Sequence, residues 1–183
     1  SKMCLERVHG TSVRVLDMCT GSGCIIESLY LTLKKDGYVI DACASDISGT
    51  ALETAEKNAE RLGADVKFCQ GNLFEKVEGK FNMILSNPPY IRSDVIDGLE
   101  PEVKDYEPKL ALDGTQDGLY FYREITAQAG EYLLDGGILM FEIGYDQGME
   151  VSRMCCDNGY TDVKVIKDFA GLDRVVTAVY KKN

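Results

Sequence analysis

A short apolar run, Val13 to Asp17, breaks directly into Thr20-Gly21-Ser22-Gly23, after which Ile25, Ile26, Leu29 and Leu33 recur at helical spacing. Strand, glycine turn and helix in that order restrict the chain sharply, because a strand followed at once by a helix normally returns as a parallel neighbour. The pattern repeats along the sequence. Tyr38 to Ser45 reads as a second buried strand closing on Asp46, with Ser48 placed to cap a helix over Ala51 to Leu62 and Gly63 placed to end it. Val66 to Gln70 and Phe81 to Ser86 read as third and fourth strands. Leu119, Tyr122, Ile125, Ala129 and Leu133 read as one amphipathic helix stopped near Gly136-Gly137, before a strand from Ile138 to Ile143. A helix over Met149 to Asn158 and an antiparallel pair, Val163 to Ile166 with Val175 to Tyr180 around Gly171, complete the chain. The fold class is therefore α/β, a doubly wound and mostly parallel sheet with helices on both faces and a terminal antiparallel hairpin.

The length of 183 residues suits a single domain, and 45% hydrophobic residues with only 4 prolines supply a real core. Lys and Arg number 20 against 30 Asp and Glu, a net charge of −10, so direct binding along nucleic acid is not expected. No apolar stretch has the length of a membrane span and Ser1 to Gly10 is too polar for a signal peptide, so the chain reads as soluble and cytoplasmic. Seven cysteines with His9 as the sole histidine suggest buried reduced thiols and no metal site.

Ligands of doubly wound sheets sit beyond the carboxyl ends of the strands, where the strand order reverses. Asp17, Asp46, Asn72 and Asn87 all fall at or just after such ends. The loop Asp17-Met18-Cys19-Thr20-Gly21-Ser22-Gly23 allows a ligand to approach the backbone, but Ile26 occupies the position where a dinucleotide loop requires its third glycine. Asp46 is suited to accept both ribose hydroxyls or, equally, to cap the next helix; Asn72 with the Leu73 backbone is suited to an adenine edge or to a simple turn. Together they describe a nucleoside pocket without a pyrophosphate subsite, as S-adenosylmethionine requires. Asn87-Pro88-Pro89-Tyr90 is the most specific segment: two prolines force the chain out of the sheet and leave carbonyls unpaired. The Asn87 side-chain oxygen and the Pro88 carbonyl are then placed to accept both hydrogens of a planar NH₂ group, with the Tyr90 ring against its π-system.

These segments resemble class I S-adenosylmethionine-dependent methyltransferases, and more closely the HemK/PrmC family of peptide chain release factor glutamine N5-methyltransferases. The resemblance spans Asp17 to Gly23, Asp46-Ile47-Ser48, Asn72-Leu73-Phe74 and Ser86 to Ile91. It continues through Tyr106-Glu107-Pro108, Ala111 to Gly114, Asp117-Gly118-Leu119, Glu142-Ile143-Gly144 with Gln147, and Asp173 to Val176. It implies a cofactor site of Asp17, Cys19, Thr20, Gly21, Ser22, Gly23, Asp46, Ile47, Asn72 and Leu73, with Asn87 touching it. Asn87, Pro88, Pro89 and Tyr90 are implied as the catalytic segment, S-adenosyl-L-homocysteine as the product, and release factors as protein substrates. Residues 1–183 are read as the methyltransferase domain, without the family's N-terminal helical domain. Cys19 and Asn72 stand where the family commonly has Gly and Asp, and an ordinary φ is expected at Cys19. The alternatives are an adenine-N6 methyltransferase acting on RNA or DNA, which shares the tetrapeptide, and a non-catalytic S-adenosylmethionine-binding module.

Overall fold

The structure is a computed structural model and describes residues 12–98, 100 and 108–182. Among the described residues seven strands form one sheet: β1 (Ser12–Met18), β2 (Val39–Asp46), β3 (Val66–Gln70), β4 (Phe81–Ser86), β5 (Leu133–Glu142), β6 (Thr161–Lys167) and β7 (Asp173–Val179). Their order is β3-β2-β1-β4-β5-β7-β6. The first five run parallel, and β7 lies antiparallel between β5 and β6. The strand order reverses between β1 and β4, so the carboxyl ends of these two strands mark the crevice where such sheets take ligands.

Side-chain alternation along β1 divides the core into two layers. Val13 and Val15 pack with Ile26, Tyr30 and Leu33 of α1 (Cys24–Lys35) on one face. On the other, Leu16 and Met18 pack with Tyr122, Ile125 and Ala129 of α4 (Tyr120–Ala129) and with Val151 and Cys155 of α5 (Gly148–Asp157). Helix α2 (Gly49–Leu62) buries Leu52, Ala55 and Ala59. Its start follows the expected chemistry, the Ser48 hydroxyl accepting the Ala51 N–H at 3.2 Å, and it stops at Gly63, which takes a left-handed φ of 66°. A further helix, α3, is a single turn over Lys109–Leu112.

Two expectations need correction. Helix α4 ends at Ala129, and Leu133 belongs to β5. Leu133 lies four residues after Ala129, which imitates helical spacing, but the Phe81 N–H donates to the Tyr132 carbonyl at 2.8 Å and Phe81 pairs with Leu133. Met83 then pairs with Ile138, so the residues around Gly136 and Gly137 bulge out of β5 before regular pairing resumes. Gly136 has a φ of 77°, which a glycine adopts without strain. The cysteines also differ from expectation: all six described ones are free, but only Cys155 is fully buried, and Cys24 and Cys156 are exposed. His9 lies outside the described residues. Among the described residues no helix is long and apolar enough to cross a membrane.

Phe141 anchors the layer under α4 and α5, being fully buried with its ring edge-to-face on Tyr122 at 5.2 Å. Phe141→Ala is expected to cost about 3–5 kcal/mol through lost burial and the cavity left behind. Denaturant unfolding of both proteins checks this, and a loss under about 1 kcal/mol would contradict the packing described.

Candidate active site

Parallel pairing brings Met18 beside both Ser45 and Ser86, so β1, β2 and β4 end at one level. The Thr20 N–H donates across to the Ser45 carbonyl at 3.1 Å and the Ser86 hydroxyl to the Met18 carbonyl at 2.8 Å, which pins the start of the glycine loop. Between Met18 and Thr20 the chain must turn back on itself. It does so at Cys19, whose φ is 58°, contrary to the expectation of an ordinary φ there. That conformation costs an L-residue on the order of 1–2 kcal/mol, and the loop's hydrogen bonds and the packing of Cys19 against the core hold it in place. Burial and the nearby Asp46 carboxylate push the Cys19 thiol up to about 12, which disfavours its thiolate form.

The rest of the loop is fixed from below. Gly21 donates its N–H to Asp46 Oδ2 at 2.8 Å, Gly23 donates to the Thr20 carbonyl at 3.0 Å, and Asn58 of α2 donates to the Ser22 carbonyl at 3.0 Å. At Gly21 a Cβ would meet no atom within 4 Å, so this backbone faces open space and is accessible to a ligand. At Gly23 a Cβ would lie 2.4 Å from Glu27 Oε1 and 3.1 Å from Ala55 Cβ, so a side chain there would drive the loop off α1 and α2. Asp17 is fully buried at the end of β1; its Oδ2 accepts the Thr20 hydroxyl at 2.6 Å, whereas Oδ1 has no hydrogen-bond partner. Burial lifts its carboxyl to about 7, with help from the Asp46 and Glu27 charges and against the pull of the Thr20 hydroxyl and the Ile26 N–H.

Asp46 ends β2 with each carboxylate oxygen accepting one N–H, from Gly21 at 2.8 Å and from Ser48 at 2.9 Å. Its plane is thereby fixed while further lone pairs remain. Ile47 beside it is half exposed. Asn72 and Leu73 follow β3 and open a 3₁₀ turn, Leu73–Lys76. The Asn72 N–H is held by the Glu75 carboxylate at 3.2 Å, and Leu73 takes a positive φ of 48°, a second left-handed residue that the sequence did not announce.

Asn87-Pro88-Pro89-Tyr90 leaves β4 next to the loop, and among the described residues no hydrogen bond engages the Asn87 side chain or the Pro88 carbonyl. The backbone behind them is clamped. Gln147 donates from Nε2 to the Tyr90 carbonyl at 3.0 Å and to the Gly118 carbonyl at 3.2 Å, while its Oε1 accepts the Gly144 N–H at 2.9 Å. Tyr122, whose hydroxyl donates to the Glu142 carbonyl at 2.9 Å, stands against the same Oε1 at 3.4 Å. Ile91 exchanges backbone bonds with Leu112 and Gly114 at 3.0 and 2.8 Å. A Cβ on Gly114 would fall 2.7 Å from Tyr90 Cα, and one on Gly118 would fall 2.4 Å from the Tyr90 carbonyl oxygen. These glycines thus permit the segment after α3 to lie directly on Tyr90. Tyr106 and Glu107 lie outside the described residues.

The sheet therefore arrays the segment at Asn72, the segment at Asp46, the glycine loop and the segment at Asn87 side by side along one edge, in the spatial order of β3, β2, β1 and β4. A cavity of about 320 Å³ lies between α1 and strands β4, β5 and β7, lined by Ile25, Leu29, Met83, Leu85, Ser86 and Glu142 among others, but by none of Asp46, Asn72 or Asn87. Among the described residues no cluster is suited to hold a metal ion.

Comparison with known proteins now narrows the meaning of this edge. Residues 1–98 match the model of the methyltransferase small domain. The chain belongs to the methyltransferase small domain family. It is 46% identical over 168 residues to a release factor glutamine methyltransferase of Agrobacterium fabrum, covering 91% of this chain and 57% of that protein. A second release factor glutamine methyltransferase, from Clostridium acetobutylicum, is 43% identical over 171 residues, with 91% and 59% covered. The chain thus spans less than two thirds of the length of these curated relatives. A methyltransferase from Pyrococcus furiosus shares the fold, with a TM-score of 0.68 over 99% of this chain and 81% of that one at 20% identity. In this methyltransferase small domain protein, the edge described above is the region where the four loops converge.

Two outcomes test the geometry. Gln147→Glu turns a donor toward two carbonyls into an acceptor, and is expected to destabilise the fold by about 1–3 kcal/mol or more, with Gln147→Ala costing less than Glu. Thermal unfolding of the pair ranks them; equal values would deny Gln147 its clamping bonds. For Asp17, a pKa raised in the folded state means stability that is complete below the unfolded value near 4 and is lost as pH rises through about 7. Asp17→Asn is therefore expected to raise the melting temperature of the ligand-free protein at pH 8 and to leave it nearly unchanged near pH 4.

Proposed function

We propose that this chain transfers a methyl group from S-adenosylmethionine to the side-chain amide nitrogen of the glutamine in the Gly-Gly-Gln motif of peptide chain release factors. The observation that carries the reading is the pair of unengaged acceptors, the Asn87 side-chain oxygen and the Pro88 carbonyl, on a backbone anchored by Gln147 next to the glycine loop. The names of the relatives support the same substrate class. The substrate is a protein, and action in the cytoplasm goes with it.

The residues suit the cofactor on structural grounds of their own. The open backbone at Gly21 offers close approach, Asp46 has its carboxylate plane fixed with lone pairs to spare, and Asp17 presents a buried oxygen without a partner. Asp46 with Ile47 would hold the ribose, Asn72 with Leu73 the adenine, and Asp17 with Cys19 to Gly23 the amino-acid portion. When bound, S-adenosylmethionine supplies an electrophilic methyl group.

An amide nitrogen is a poor nucleophile because its lone pair is delocalised into the carbonyl. Acceptance of both N–H hydrogens by Asn87 and Pro88 would orient the amide and raise the electron density on its nitrogen, so that positioning and fixed dipoles do most of the catalytic work. Pro88 and Pro89 keep that acceptor geometry stiff, and Tyr90 would lie against the amide plane. The surplus proton becomes acidic once the nitrogen is alkylated and leaves to solvent, so no buried base is required. The charge of −10 favours a partner with complementary positive patches over a phosphate backbone.

The test is mass spectrometry of a release factor after incubation with the protein and S-adenosylmethionine, with an RNA pool as a second acceptor. One added methyl on the Gly-Gly-Gln peptide is expected; methyl groups on RNA alone would transfer the assignment to an adenine-N6 enzyme. Asn87→Ala is expected to bind cofactor yet lose roughly 10²–10³ in rate, by analogy with the deletion of one preorganised hydrogen-bonding group. Near-normal turnover by that variant would refute the role given to Asn87.

A further inference from the structure

Helix α1 contains a charged residue that the proposed chemistry does not use. Glu27 lies in its first turn, 2% exposed, with Oε1 lacking any hydrogen-bond partner. Its carboxylate presses on the underside of the glycine loop, since a Cβ on Gly23 would stand 2.4 Å from that oxygen. Asp17 at the end of β1 is fully buried and also has one bare oxygen, and Asp46 closes the group from β2. Two orphaned carboxylate oxygens at one loop are a repeated cost, because burial without a partner penalises a polar group and more so a charged one.

No basic side chain compensates at bonding distance. Arg61 of α2 faces Glu27, but its guanidinium is directed to the Asn58 side chain at 3.4 Å, and among the described residues no ion pair closes on Glu27. The other groups facing Asp17 are the Cys19 thiol and Thr20 hydroxyl of the loop and the Ile26 N–H of α1, with Ser86 of β4 facing Cys19. None of them carries positive charge. Arg61 acts on Glu27 only from beyond bonding distance and no positive charge acts on Asp17, so two buried carboxylate oxygens at the loop stay without a hydrogen-bond partner, a setting that a cationic ligand would relieve.

We propose that Glu27, acting with Asp17 and Asp46, determines specificity at this loop by favouring a cationic sulfonium ligand over its neutral thioether counterpart. This rests on the reading above that the loop takes S-adenosylmethionine. Methyl transfer converts the sulfonium to a thioether and removes one unit of positive charge from the ligand. The same carboxylates that attract the donor therefore release their hold on the product, which promotes turnover. Glu27 acts through the loop and is a positioning and specificity residue, since the backbone of Gly23 stands between it and the open face.

Donor binding at this loop carries a pH signature with a definite sign. A cation near Asp17 favours its ionised form, so binding at neutral pH expels a proton from a carboxyl that burial otherwise keeps partly protonated. Preference for the donor should grow with pH, by about tenfold for each pKa unit through which the cation lowers Asp17. The neutral product should show little of this dependence.

Isothermal titration calorimetry with S-adenosylmethionine and S-adenosylhomocysteine separately, from pH 6 to 8.5 in two buffers of different ionisation enthalpy, reads both effects without any turnover. Expected are a donor-to-product affinity ratio that climbs with pH, and a fraction of a proton released near pH 7 by the donor beyond that released by the product. Glu27→Gln should lower the ratio severalfold while keeping product affinity, and Asp17→Asn should flatten its pH dependence. The wild-type profile stands even if a variant fails to fold. Binding of both ligands with a ratio that is flat in pH overturns this inference alone; absence of binding by either overturns the cofactor reading and this inference with it.

Discussion

The three strand ends at Met18, Ser45 and Ser86 are held at one level by parallel register, and the remainder of the candidate site follows from that alignment. Parallel pairing sends every connection out of the sheet on the same edge, so segments far apart in sequence become neighbours in space. Two cross-strand bonds then convert alignment into position. The Thr20 N–H on the Ser45 carbonyl turns the glycine loop over β2, and the Ser86 hydroxyl on the Met18 carbonyl ties the start of the Asn87 segment to β1. A slip of one residue between β1 and β4 would send Leu16 and Met18 to the opposite layer, exchanging two core packings at once. The hydrophobic division of the core therefore fixes the spacing between the loop that would hold the methyl donor and the segment that would hold its acceptor.

Much of this was legible in the sequence because the signals are local. The run to Asp17 and its glycine turn, the Ser48 cap and Gly63 stop, the proline pair after Ser86 and the hairpin around Gly171 each depend on residues within a few positions of one another, and each appears where expected. The misread features are those that only tertiary structure decides. Leu133 has helical spacing from Ala129, but the pairing that claims it comes from Phe81, more than 50 residues away. Cys19 carries no side-chain signal for a positive φ, because the reversal is imposed by Thr20 bonding to Ser45. Glu27 resembles any acidic residue in the first turn of a helix, and its burial goes with its place beneath Gly23.

The glycine loop concentrates unfavourable terms that a turn of purely structural purpose would not require. A left-handed non-glycine residue at Cys19, a fully buried carboxyl at Asp17 and a covered carboxylate at Glu27 all lie within eleven residues. Such features persist where surrounding bonds over-determine the geometry. Here Asn58, Asp46 and Ser45 each hold a different point of the loop. Stability contributed by the core is in this way set against a locally unfavourable arrangement at the loop, as expected where local rules are broken at a candidate functional site.

The rigidity of the Asn87 segment comes from outside the segment. Prolines at 88 and 89 restrict φ and remove two N–H donors, so these two positions have no donor to offer the sheet. Its carbonyls must be fixed by donors brought from elsewhere, and Gln147 supplies one from beyond β5 while also reaching Gly118. Glycines at 114 and 118 let that remote backbone come close enough to close the clamp on Tyr90. A turn of the same four residues in another protein would lack these supports and would leave its acceptors free to wander. On the proposed reading the tetrapeptide would supply the chemistry of recognition, but its fixed position depends on Gly114, Gly118 and Gln147, and those distant segments, not the four residues alone, distinguish this arrangement from a generic proline turn.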